Sequence, residues 1–155
     1  MKIRSVKTNN RRRVFEVRVG TGVLPFPYSK AEPAPGLGER VVRVAVDEEL
    51  AREAFGFELG SGRSGVVHVE QVLEYNQDPS YMRDSLLYKL TLEAQARVAK
   101  SPLSKREIVR RLGTSAAQLY RLLDQTNKVK SIDQMLNLLR VLDCEVDLVV
   151  RARSA

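Results

Sequence analysis

Residues 103–123 read Leu103-Ser-Lys-Arg-Glu-Ile-Val-Arg-Arg-Leu-Gly-Thr-Ser-Ala-Ala-Gln-Leu-Tyr-Arg-Leu-Leu123. The stretch contains two serines that are each followed three residues later by Glu or Gln, as Ser104–Glu107 and Ser115–Gln118. In such a capping box the serine hydroxyl accepts the third amide proton, and the Glu or Gln side chain returns to the serine amide. The two boxes therefore predict helices over about residues 105–112 and 116–123.

The connection between these two helices is very short. Gly113 follows the first helix, where glycine permits the left-handed conformation that ends a helix without a Cβ clash. Only Thr114 then separates Gly113 from the cap at Ser115. A turn this tight is typical of a helix-turn-helix, in which two helices meet nearly perpendicular. We expect five apolar side chains to face the core: Ile108, Val109, Leu112, Leu119 and Leu122.

Two further helices are predicted around this pair. A third capping box, Ser131-Ile-Asp-Gln134, begins an apolar pattern that runs to Leu142. A long amphipathic helix is expected from about Tyr81 to Ala99, after Pro79. Its apolar residues recur at helical spacing and are Leu86, Leu87, Leu90, Ala94 and Val98.

The N-terminal half instead alternates with period two, which is typical of strands with one buried face. Such alternation occurs at Phe15, Val17 and Val19 and again at Val42, Val44 and Val46. Two more apolar runs flank residues 60–65 and predict a β-hairpin with a glycine-rich loop. The proline-rich segments 24–28 and 32–36 are expected to be extended links. We expect about four strands in one antiparallel sheet, and a short helix near residues 70–75.

Positive charge is concentrated in the second half of the chain. Residues 1–80 hold 12 Lys and Arg against 11 Asp and Glu, whereas residues 81–155 hold 14 against eight. Such an excess attracts a polyanion, although basic helices are also common as plain solvated surface.

Residues 103–123 and the helix 131–142 resemble the lambda-repressor-like, or Cro/XRE, family of DNA-binding domains. The resemblance covers less than half of the chain and implies a compact helical domain that usually binds operators as a dimer. It places Lys105 and Arg106 near the DNA backbone, and Ala116, Ala117, Tyr120 and Arg121 at base edges. The chain departs from the family in having alanines at the first two recognition positions. It also has Gln125 where glycine is common, so the following turn is expected to differ.

The predicted fold class is α+β. Residues 1–78 are expected to form a small antiparallel β-rich domain of unknown role. Residues 79–155 are expected to form a four-helix, lambda-repressor-like helix-turn-helix domain followed by a C-terminal strand. The strand is predicted from Cys144, Val146, Leu148 and Val150, which alternate with polar residues. It either joins the N-terminal sheet or pairs with its twin across a dimer axis.

These patterns predict a sequence-specific, double-stranded-DNA-binding transcription regulator that acts as a homodimer. Phosphate contacts are expected from basic side chains and base contacts from the second helix. The predicted DNA-binding residues are Lys105, Arg106, Arg110, Arg111, Ser115, Ala116, Ala117, Gln118, Tyr120, Arg121, Lys128 and Lys130.

Two alternatives compete with this interpretation. The first is an antitoxin that regulates its own operon and neutralises a cognate toxin protein, because the resemblance includes some antitoxins with a strand after the fourth helix. The second is an enzyme or interaction module in the N-terminal half. His68 is the only histidine and lacks spaced acidic or cysteine partners, so we expect no enzyme, metal or cofactor.

The sequence also predicts a cytoplasmic protein without a membrane segment. No apolar run approaches the ~18 residues that cross a bilayer, and the first residues lack a signal-peptide core. Cys144 is the only cysteine, so neither an internal disulfide nor a cysteine-rich zinc site is expected.

Overall fold

The computed structural model of the chain describes residues 1–153, which divide into two compact units. The first unit is Met1–Met82 and holds the strands; the second begins at Arg83 and is helical. The predicted α+β class is confirmed at this level. The expected single sheet is wrong, because the strands form two three-stranded antiparallel sheets.

Sheet A consists of β1 (Ser5–Asn9), β2 (Val14–Val19) and β3 (Gly22–Pro27) in the order β1-β2-β3. The alternation in β2 is confirmed, since Phe15, Val17 and Val19 are buried. The prediction that the proline-rich segment 24–28 is an extended link is wrong, because most of this segment belongs to the edge strand β3. An edge strand tolerates Pro25 and Pro27 because its outward N–H groups need no partner.

Sheet B consists of β4 (Val41–Val46), β5 (Ala54–Leu59) and β6 (Ser64–His68) in the order β4-β5-β6. The predicted hairpin is confirmed between β5 and β6. The predicted inward face of β4 is confirmed for Val44 and Val46, which are half-buried against the core, and is wrong for Val42. A register shift between Val41 and Arg43 rotates the strand, so that Val41 is 3% exposed and Val42 is 64% exposed.

The core of the first unit is built around Phe15. The centre of its ring lies 4.7 Å from that of Tyr28, 4.9 Å from that of Phe55 and 5.2 Å from that of Phe57. Phe15 belongs to sheet A and the other two phenylalanines to sheet B, so this aromatic cluster joins the sheets. The predicted short helix is confirmed as α1 (Val69–Tyr75), which buries Val69, Val72 and Leu73.

The remaining helices are α2 (Pro79–Lys100), α3 (Lys105–Leu112), α4 (Ala116–Leu123) and α5 (Ile132–Val141). The predicted bounds of α3 and α4 are confirmed. Among residues 1–153, no helix combines the length and apolarity needed to cross a membrane. The core of the second unit holds side chains from all four helices: Leu87, Ala94, Ile108, Leu119, Leu122, Met135, Leu138 and Leu139.

The predicted C-terminal strand is wrong for a single chain. Residues 144–153 follow α5 without forming a strand. Asp143 has a φ of 61°, and this left-handed residue turns the chain out of the helix. The amide of Cys144 donates to the carbonyl of Leu139 at 2.9 Å and closes the turn. A strand requires a neighbour that supplies ladder hydrogen bonds, and within residues 1–153 none lies beside this segment.

Candidate nucleic-acid interface

The turn between α3 and α4 is fixed by Gly113 and Ser115. Gly113 has φ 68° and ψ 34°, the left-handed conformation that the sequence predicts. The amide of Gly113 donates to the carbonyl of Arg110 at 3.1 Å, and that of Thr114 donates to the carbonyl of Val109 at 3.3 Å. Ser115 Oγ then accepts the amide proton of Gln118 at 3.2 Å. Each end of the turn is thereby tied to the helix that it borders.

The predicted capping boxes form to different extents. Ser131 and Gln134 form both bonds, at 2.9 and 3.1 Å. Ser104 and Ser115 accept the expected amide protons, but no return bond from Glu107 or Gln118 joins them within the described chain. Glu107 is occupied elsewhere, because its carboxylate binds Arg110 and Arg111.

The C-terminal end of α4 is closed by side chains rather than by glycine. Asp124 ends the helix with an extended backbone, φ −79° and ψ 110°. Three side chains donate to backbone carbonyls at this end. Gln95 Nε2 lies 2.7 Å from Leu123 O, Asn127 Nδ2 lies 3.2 Å from Arg121 O, and Lys130 Nζ lies 2.8 Å from both Leu122 O and Asp124 O. We call Gln95, Asn127 and Lys130 the α4 clamp.

Lys130 is therefore a correction to the sequence prediction. It is 6% exposed, and its ammonium group is committed to two carbonyls. Burial lowers the pKa of the Lys130 ammonium, and the nearby Asp124 carboxylate opposes only part of that shift. Because Lys130 holds the end of α4 and is shielded from solvent, it is not part of the candidate interface.

The outer face of α4 comprises Ser115, Ala116, Ala117, Tyr120 and Arg121, all of which are exposed. The opposite side is anchored in the core, where Leu119 is 1% and Leu122 4% exposed. The helix contains no acidic residue. Within residues 1–153 the guanidinium of Arg121 has no ion-pair partner, so it is available to an external acceptor. Gln118 lies at the margin of this face and is half-buried.

The α3 cations, which are Lys105, Arg106, Arg110 and Arg111, are all exposed. The two guanidinium groups of Arg110 and Arg111 lower the pKa of Glu107 to about 2, so this carboxylate stays ionised at neutral pH. Its single negative charge is shared by two arginines. Lys105 Nζ lies over the Tyr120 ring and connects the start of α3 to the outer face of α4.

Lys128 lies in the loop after α4, and its side chain is 71% exposed. Its Nζ is 4.0 Å from Asp84 Oδ2, a long contact at a carboxylate that also binds Arg83.

Of the 12 predicted site residues, ten are exposed, Gln118 is half-buried and Lys130 is buried. The exposed ones are Lys105, Arg106, Arg110, Arg111, Ser115, Ala116, Ala117, Tyr120, Arg121 and Lys128.

Sequence reasoning missed most of the α4 clamp. Gln95 is 28 residues from its acceptor Leu123, so no local pattern reveals the contact. Lys130 directly precedes the Ser131 cap, a position that packs onto the helix when it is apolar, so no local signal in the sequence indicates that a lysine there is buried. A signal did exist for Glu107, because its spacing to Arg110 and Arg111 is that of helical ion pairs.

Other candidate sites remain plain surface or core. His68 is exposed at the end of β6, and Cys144 is half-buried. Among residues 1–153, no group of three or more His, Cys, Asp or Glu is arranged to hold a metal ion.

No family model, curated protein or solved structure matches the chain significantly.

Proposed function

We propose that the second unit is a helix-turn-helix module that binds double-stranded DNA, and that the protein is a dimeric transcription regulator. The observation that carries this proposal is the outer face of α4. This face is exposed, contains no carboxylate and lies on a helix whose first turn begins directly after the Gly113 turn. A recognition helix requires these properties, because it must enter a groove lined by anionic phosphates.

The α3 cations supply the sequence-independent part of the binding. Lysine and arginine side chains that reach phosphates release condensed counterions, which is the main source of non-specific affinity for a duplex. Lys105 and Arg106 have no carboxylate partner within residues 1–153, whereas Arg110 and Arg111 share Glu107. Lys105 and Arg106 are therefore the strongest phosphate ligands of α3 in this proposal.

The outer face of α4 supplies the sequence-dependent part. Ala116 and Ala117 at the start of the helix allow close approach to the base edges, and their methyl groups fit beside thymine methyl groups. Arg121 lies one turn further along, where its guanidinium can donate two hydrogen bonds to guanine O6 and N7. We therefore expect a half-site with thymine near the start of α4 and guanine near its end.

A homodimer belongs to the proposal because a single module of this size has too small a contact with DNA to be selective. Two modules related by a two-fold axis read two half-sites of a palindrome. The bound duplexes should therefore contain inverted repeats whose half-site centres are about one helical turn apart.

The decisive experiment selects bound duplexes from fragmented genomic DNA with the purified chain and then measures affinities for the enriched site. Arg121→Ala should remove the preference for that site and leave weak binding to unrelated duplexes. Arg43→Ala is the charge-matched control, since Arg43 is an exposed arginine of sheet B. If no sequence is enriched, or if Arg121→Ala retains the full preference, the proposed recognition helix is wrong.

A second measurement tests the phosphate contacts. Lys105→Ala should weaken binding to every duplex and reduce the slope of log affinity against log salt by about one unit. An unchanged slope would remove Lys105 from the phosphate contacts without affecting the proposed role of Arg121.

A further inference from the structure

The C-terminal tail, residues 144–153, has the alternation of a strand, but it does not join either sheet of the described chain. No backbone–backbone hydrogen bond is formed by residues 145–152 within the described chain. The tail is nevertheless rich in β-branched and apolar residues, and four of these are strongly exposed: Val146 at 49%, Leu148 at 75%, Val149 at 70% and Val150 at 85%. Such a segment offers unused donors, acceptors and apolar surface to a partner.

In an extended conformation the tail has two distinct faces. One face carries Val146, Leu148, Val150 and Ala152 and is wholly apolar. The other face carries Glu145, Asp147, Val149, Arg151 and Arg153, so that two acids precede the central valine and two arginines follow it. When two copies of this face run antiparallel, the acids of each copy therefore lie opposite the arginines of the other.

We propose that the tails of two copies pair as an antiparallel two-stranded ribbon with Val149 opposite Val149 of the second copy. This register places Asp147 opposite Arg151 and Glu145 opposite Arg153, twice each by symmetry. It also places Leu148 opposite Val150 on the apolar face. Opposite charges that face each other across two strands stabilise the pairing, whereas like charges oppose it.

The alternatives match less well. A parallel in-register pair places Asp147 opposite Asp147 and Arg151 opposite Arg151. An antiparallel pair centred on Leu148 leaves Asp147 opposite Val149. A register shifted by a single residue places charged side chains opposite apolar ones, because it mixes the two faces.

A two-stranded ribbon by itself is only marginally stable in water, so its apolar face also needs cover. The second unit has exposed apolar side chains that can provide this cover: Tyr88 and Leu92, which are four residues apart on one face of α2, and Leu136 on α5. The partner in this inference is a second copy of the chain. The inference rests on the proposed function in one respect: the tails are taken to assemble the dimer that was proposed to bind DNA.

Sedimentation equilibrium of the full chain without DNA tests the inference. The unaltered chain should dimerise, and Asp147→Arg should raise the dimer dissociation constant by about tenfold or more, because two pairs become arginine against arginine. Exchanging the pair in Asp147→Arg/Arg151→Glu should restore dimerisation. The matched control Glu145→Arg/Arg151→Glu has the same net charge, but it places like charges opposite each other across the ribbon. Its dimerisation should therefore stay weak.

Disulfide trapping tests the register independently, in chains that also carry Cys144→Ala. Val149→Cys should cross-link two copies under mild oxidation, since the Cα atoms of directly opposite residues lie about 4.5–5.5 Å apart, within the range that a disulfide spans. Leu148→Cys should not cross-link. Residue 148 of the second copy lies diagonally across the ribbon at about 7–8 Å, which is beyond the reach of a disulfide. A monomeric unaltered chain, unchanged dimerisation of Asp147→Arg, or equal cross-linking at 148 and 149 would overturn the inference. Selection of duplexes by the same variants reports separately on DNA binding.

Discussion

Lys105 Nζ lies 5.4 Å from the centre of the Tyr120 ring. This cation–π contact connects the first residue of α3 with the outer face of α4. It holds a lysine that is proposed to bind phosphate beside a ring that is proposed to face the major groove. The contact therefore links the two halves of the candidate interface.

We expect Lys105→Met and Tyr120→Leu to be coupled in stability. An exposed cation–π contact contributes about 0.5–1 kcal/mol, so the cost of the double variant should fall short of the sum of the single costs by about that amount. Urea unfolding of the three variants gives this coupling. Tyr120→Phe, which keeps the ring, should behave as the unaltered chain; strict additivity would mean that the contact does not form in solution.

Lys130→Met should destabilise the second unit by about 1–3 kcal/mol, because the buried carbonyl of Leu122 and the partly buried carbonyl of Asp124 lose their donor. Urea unfolding followed by the helical circular dichroism signal measures this change. Lys128→Met is the matched control: it removes the same charge two residues away on the exposed surface and should leave stability within about 0.5 kcal/mol. Equal effects of the two substitutions would show that the α4 clamp does not require the ammonium group.

Glu107→Gln should strengthen binding to all duplexes. The substitution removes a negative charge from α3 and releases Arg110 and Arg111 from their shared carboxylate. We expect affinity to rise severalfold and the salt slope to increase, since more cations can reach phosphates. Fluorescence anisotropy over a range of salt concentrations measures both quantities. Weaker binding would instead indicate that Glu107 positions these arginines for DNA.

Glu107 should also affect acid stability. Its pKa is lowered from 4.5 to about 2 by Arg110 and Arg111, so its contribution to folding is present above about pH 4.5 and is lost as pH falls towards 2. A carboxyl titration by NMR should place the midpoint of Glu107 near 2. Between pH 5 and 2 the unaltered chain should lose more stability than Glu107→Gln. A midpoint near 4.5 would show that the two ion pairs do not persist in solution.

Gly113→Ala should destabilise the second unit by about 1–2 kcal/mol. A Cβ at this position meets no atom within 4 Å, so the cost arises only from holding alanine at a φ of 68°. Gly113→Asn should cost less, because asparagine adopts the left-handed conformation more readily. Thermal unfolding compares the two variants. If alanine and asparagine cost the same, the turn does not hold its left-handed conformation in solution.

The helices α3 and α4 were predictable to the residue because their limits are set by local chemistry. Ser104, Ser115 and Gly113 act on amides and carbonyls within five residues of themselves. The exposed outer face of α4 followed from the same limits, since helical spacing assigns the inward leucines. What these exposed side chains bind is not a property of local spacing and stays a prediction.

The errors arose where the outcome depends on tertiary contacts that no local pattern encodes. The edge position of β3 decides whether prolines are tolerated, and position in a sheet is a tertiary property. Lys130 was assigned to DNA as one of the concentrated basic side chains, but its ammonium group binds the carbonyls of Leu122 and Asp124 at the end of α4. The tail has the alternation of a strand, and alternation reports suitability for pairing rather than the presence of a partner.

The prolines of β3 also determine how the first unit meets other chains. Pro25 and Pro27 lack the N–H groups that an incoming strand would use, and Asn76 Nδ2 already occupies the carbonyl of Pro25 at 2.9 Å. This border of sheet A is thus closed to growth by edge-to-edge addition. Strand addition between crowded molecules is therefore not directed to this border, and the proposed pairing of the tails does not compete with it.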